Sequence, residues 1–243
     1  MKRIVKDGFQ KIRWGLLGLL LCFYLSFFIR LLVPATAMVT EIAEKSLQVL
    51  STMLLMNGLT AAGDMNPLFF KARKWVAVQM GMYAVYLLIN GVYAALSSRE
   101  LLAEQAQILY AWLFLASTLC GSVVLRLAQW LGISGLLKGL SAVWLDCGGE
   151  EKAVGRGKRL NKLLGVCYAL LLVSIALLAC FALDVGFNIA AISAQNGFTD
   201  IQLRMLASGI LGLAIVFILH FIALIGVIRY TRQVEKRVKA LCE

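Results

Sequence analysis

Proline, histidine and charge are all scarce in this chain. Its 243 residues include 2 prolines, a single histidine and only 15% charged residues, against about 25% charged in an ordinary soluble domain. One histidine excludes a His-rich metal site and leaves His220 as the lone imidazole for acid–base work. Few prolines beside 21 glycines, with no repetitive tract, exclude a collagen-like or disordered polymer. There is no G-x-G-x-x-G, no H-E-x-x-H and no C-x-x-C. The glycines of 146–162 do not form a phosphate-binding loop, because Lys152 stands where that motif needs Gly and Arg159 where it needs Ser or Thr. A Ser–His hydrolase is equally poorly served: Gly139-Leu140-Ser141-Ala142-Val143 is not G-x-S-x-G, and Ser141 is far in sequence from His220. The expectation is therefore of no catalytic constellation, no metal and no cofactor.

What is abundant is apolar surface. Apolar types make up 61% of the chain and mean hydropathy is +0.84, so the fold class is an all-α, polytopic transmembrane bundle in a single membrane domain, 1–243. A bilayer core of about 30 Å takes about 20 apolar residues as helix. Charge-free stretches predict six spans, near 14–33, 47–66, 75–96, 106–126, 163–184 and 205–229, of which 47–66 is the weakest because it contains Gln48, Ser51, Thr52, Asn57 and Thr60.

Orientation follows from the basic residues, which gather in cytoplasmic loops. With both termini inside, every Lys and Arg except Arg30, Lys45, Arg99 and Arg204 falls on the inner side. Removing the weak second span would scatter the cluster Lys71, Arg73 and Lys74 to the outside. Ala35-Thr36-Ala37 resembles a signal-peptidase site, yet Arg30 interrupts the approach to it, so the first span is read as retained. No cysteine falls outside, so no structural disulfide is expected.

The net charge of +11 and pI near 9.6 sit in short clusters beside apolar spans. That placement argues for anionic lipid headgroups at the inner face and against nucleic acid. Between 127 and 145 the pattern predicts an inner interfacial helix: Trp130, Ile133, Leu136, Leu137, Leu140, Val143 and Trp144 form an apolar sector, and Gly132, Gly135 and Gly139 lie in a small-residue sector that could receive a partner protein or a second copy. The segment 146–162 is expected to be a polar inner loop and 230–243 a basic tail. Small-x-x-x-small pairs, such as Gly58 with Ala62 and Ser208 with Gly212, predict close helix contacts.

Polar side chains at membrane depth are costly and therefore informative. Asn57, Asn90 and His220 are the deep candidates, lining a solute path or bonding between helices. No carboxylate is expected near the midplane, which speaks against an ion-coupled pump. The functional expectation is a non-catalytic, permease-like or accessory subunit of a transport or other multi-protein system in a bacterial cytoplasmic membrane. The alternative is a membrane-embedded enzyme acting on a lipid or peptide, using Asp184 with Arg204 or His220 with an inner Cys.

Overall fold

A computed structural model describes residues 2–32, 37–97, 104–187 and 198–242. These form six helices: α1 (Lys2–Leu32), α2 (Ala37–Gly63), α3 (Leu68–Ser97), α4 (Glu104–Asp146), α5 (Glu151–Phe187) and α6 (Asp200–Cys242). The residues 33–36, which carry the Ala35-Thr36 part of the resembled cleavage site, lie outside the described residues.

Local chemistry sets the boundaries. Pro67 stands at the edge of α3 and not in its interior. Asn66 caps α3, its Oδ1 accepting from Leu68 N at 3.0 Å, while Pro67 occupies the first helical position, where no amide is needed. Thr199 and Gln202 cap α6 reciprocally: Gln202 N donates to Thr199 Oγ1 at 3.3 Å and Thr199 N to Gln202 Oε1 at 2.9 Å. The end of α4 is closed by glycine. Gly149 N donates to Trp144 O at 2.9 Å, Gly148 N to Leu145 O at 2.8 Å, and Gly148 has φ +67°, a Schellman cap that an L side chain at 148 would strain.

Three stretches are long and apolar enough to cross a membrane by length and composition among the described residues, Val123–Asp146, Glu151–Phe181 and Asp200–Leu241, and they point to a membrane protein. The helices run longer than the sequence divides them. α4 is continuous for 43 residues, about 64 Å at 1.5 Å per residue, so 127–145 continues the preceding helix and is no separate inner element. No proline interrupts it, and its glycines keep their backbone bonds. Its apolar sector is also covered by protein: Leu136, Leu137, Leu140 and Val143 are buried. The polar segment 146–162 is non-helical only at 147–150, since α5 starts at Glu151. The basic tail is helical as well. Val227, Tyr230, Thr231, Val234 and Val238 are buried at helical spacing, which makes 227–238 an amphipathic packing face rather than a free tail.

The chain divides into two compact units, one of residues 1–159 with 226–243 and one of 160–225. In the first, α1 packs on α2, α2 on α3, and α3 on α4. Glycines fix the register of these contacts. A Cβ at Gly58 would stand 2.7 Å from Gly8 O and from Ile12 N, and one at Gly15 would stand 2.7 Å from Leu55 N, so α1 and α2 touch backbone to backbone. On α4, Gly139 faces Phe69, Gly135 faces Ala72 and Gly132 faces Val76. The close approach that these three glycines allow is taken by α3 of the same chain. In the second unit α5 and α6 form a hairpin in which Gly212 faces the Ser174 hydroxyl and Gly209 faces Leu178. Both helices turn large apolar side chains outward, Val173, Leu211 and Ile218 among them.

Candidate functional site: a polar layer inside the four-helix bundle

The register set by those glycines brings polar residues of α2, α3 and α4 to one level, against an aromatic ring of α1. On α2, Gln48 Nε2 donates to Glu44 Oε1 at 2.8 Å and Lys45 Nζ to the same oxygen at 3.2 Å. Lys45 Nζ also lies 5.9 Å from the centroid of the Tyr83 ring on α3, a cation–π distance. The Tyr83 hydroxyl accepts from Gln79 Nε2 at 3.2 Å and from Gln129 Nε2 of α4 at 2.6 Å. Gln129 Oε1 in turn accepts from Arg126 Nη1 at 2.8 Å, and the Arg126 guanidinium sits 5.6 Å from the Phe23 ring of α1. Glu44, Gln48, Gln79 and Tyr83 are buried, each under 9% exposed.

This layer departs from the sequence reading in one way. Counting charges sets Lys45 on the outer side and Arg126 on the inner; the structure joins them through Tyr83 and Gln129. It also buries a carboxylate, Glu44, which is 7% exposed inside the bundle. Charge gaps measure each helix separately, whereas the sliding of α2 against α1 and α3 decides which residues share a level. An isolated buried carboxylate would be untenable, but Lys45 and Gln48 hydrogen-bond this one. Arg126 is less completely satisfied, because its Nε is buried without a hydrogen-bond partner. At the layer's level the outside of the bundle is apolar, with Leu25, Leu47, Val85 and Leu127 all exposed.

The residues singled out from sequence fall elsewhere. Asn57 is exposed on α2. The side chain of Asn90 lies outside the described residues. His220 belongs to the α5–α6 hairpin, where its Nε2 is 3.2 Å from the Tyr168 hydroxyl and the two rings meet edge to face at 5.5 Å. In the same hairpin the Asp184 carboxylate accepts from Gln202 Nε2 at 2.6 Å.

Comparison with protein families, curated proteins and solved structures gives no match. The chemistry therefore rests on the residues themselves.

Three further features of the first unit lie on the side of the bundle where α4 turns into α5. Glu235 of α6 is buried between two cations, with Arg13 Nε 3.0 Å from Oε2 and Lys239 Nζ 2.7 Å from Oε1. The Arg13 contact is a charge contact without an aligned hydrogen bond. Nearby, Ser141 and Tyr230 share a hydroxyl bond at 3.1 Å. A groove of about 760 Å³ opens beside the turn, lined by Trp144, Glu150 and residues of α5 and α6.

Proposed function

We propose that the chain is a non-catalytic, permease-like protein of a cell membrane, of bacterial cytoplasmic type, and that the layer from Glu44 to Arg126 is where a polar solute passes. Six crossings, with both termini on the inner side, remain the topology that best fits the basic clusters. One observation carries the functional reading: a carboxylate, an ammonium, a guanidinium and three amides are gathered inside a bundle whose exterior at that level is Leu and Val. Tyr83 follows Lys74 of the basic cluster by about nine residues, or roughly 14 Å of helix, close to half of a hydrocarbon core of about 30 Å. Arg126 precedes Lys138 by about twelve residues, roughly 18 Å. Both distances are compatible with a layer near mid-depth, where ionisable groups are expensive and mark solute or ion routes, and where transporters hold their substrates.

Bland interhelical bonding would account for the amides, at about 0.6 kcal/mol each. It does not account for Arg126, whose buried Nε–H offers a donor to a passing acceptor.

Water access separates the two. In a chain whose own six cysteines are replaced, Gln48→Cys in proteoliposomes should react with a charged, membrane-impermeant methanethiosulfonate, as a solute route requires. Reaction only with a permeant neutral maleimide would mean a sealed structural network and would refute the route.

A further inference from the structure

The groove beside the α4–α5 turn concentrates positive charge in a way the polar layer does not explain. Lys152 and Arg156 stand one turn apart on α5, and Lys236 and Arg237 are adjacent on α6; all four line the groove, with Glu150 as its single carboxylate. Among the described residues the ion pairs are Arg13 and Lys239 with Glu235 and Lys45 with Glu44, so none neutralises these four. Arg237 Nη2 does donate to Gly148 O at 3.3 Å, which steadies its guanidinium against the turn. Cations converging on one concavity repel each other, and a bound anion removes that repulsion.

The lining also indicates which anion. Two arginines offer planar forks suited to phosphate oxygens, and Lys152 and Ala153 bring the first turn of the 37-residue α5 into the wall, where backbone amides and the helix dipole favour negative charge. The volume of about 760 Å³ exceeds what a bare inorganic ion needs and suits an organic phosphate. Trp144 lines the same groove, its Nε1 donating to Glu150 O at 3.1 Å; an indole in that position is typical of a membrane interface. At the turn Gly148 and Gly149 close α4, and a Cβ on Gly149 would collide with the Trp144 indole.

We propose that this groove binds a phosphate ester through Arg156, Lys236 and Arg237. Two sources carry that chemistry, an anionic phospholipid headgroup and a soluble phosphate ester, and two probes tell them apart. The full chain in a neutral detergent is titrated by calorimetry with short-chain dihexanoyl-phosphatidylglycerol and, separately, with glycerol 3-phosphate. Saturable binding of the lipid alone identifies a headgroup site, and binding of both identifies a site for soluble esters; either supports the proposal. The double variant Lys236→Gln/Arg237→Gln should weaken binding roughly tenfold or more, and Arg156→Gln, on the other helix, should weaken it severalfold. All three residues are exposed, so unchanged size-exclusion profiles are expected. The control Lys71→Gln/Lys74→Gln removes the same charge from α3, outside the groove, and should change affinity less than about twofold. Equal losses in the control and groove variants, or no saturable binding of either probe, would overturn the proposal.

Discussion

At the scale of single residues, Glu235 and Tyr83 show what burial demands of polar groups. Glu235 is 3% exposed and faces Arg13 and Lys239, which differ in exposure. Replacing it by alanine leaves Arg13 without its counter-charge in a partly buried site, and the expected loss is about 3 kcal/mol, measurable by denaturant unfolding in detergent. Lys239→Ala removes a pair whose ammonium end is open to solvent and should cost less than about 1 kcal/mol. Similar losses from both would mean that Glu235 is stabilised by something other than Arg13. Tyr83→Phe deletes the oxygen that accepts from both Gln79 and Gln129. One buried and one half-buried amide donor lose their acceptor, for a cost of about 1–3 kcal/mol in the same assay; a smaller loss would mean the layer rearranges around the phenyl ring.

At the scale of elements, glycines separate into those that admit a neighbour and those that do not. Gly58 meets the backbone of α1 on both sides, so Gly58→Ala should overpack the α1–α2 seam and destabilise by about 1–3 kcal/mol. Gly155 sits in α5 with nothing within 4 Å of its missing Cβ, and Gly155→Ala should gain up to about 1 kcal/mol of helix propensity. The same thermal or denaturant titration checks both signs. These contacts explain what could be read from the sequence and what could not. The existence of each helix was legible, because long apolar runs between charges leave the backbone no other way to satisfy itself in lipid. The glycine sector of α4 was legible as a close-approach face, though α3 proves to be its occupant. Helix length was not: charge and glycine at 126–162 look like punctuation, but helices continue through Arg126, Gly135 and Gly155 because none of these removes an amide as proline would. The Schellman stop at Gly148-Gly149 lay inside a segment read as one polar loop, although glycine's freedom at positive φ is what makes it. The polar layer was illegible for a different reason. Glu44 and Arg126 each border an apolar run, so each reads as an interfacial end, and only the register between helices makes them neighbours. Asn57 drew notice by lying in mid-span, but its angular position on α2 turns it outward.

At the scale of the whole molecule, the proposed solute route requires that the charges sharing one level inside the first unit lie deep in the membrane, behind the apolar exterior side chains. Charge counting alone makes the opposite demand, with Lys45 outside and Arg126 inside. Spin labels on outward-facing neighbours decide between them without disturbing the layer: Leu47 beside Lys45 and Leu127 beside Arg126 are 50% and 42% exposed. With Leu47→Cys and Leu127→Cys labelled in separate cysteine-free chains and reconstituted into liposomes, the accessibility of each label to oxygen and to a water-soluble nickel chelate gives its depth. Equal depths near the bilayer centre are expected, with oxygen dominating at both. Labels at opposite interfaces, each readily reached by nickel, would rule out a shared level in mid-membrane.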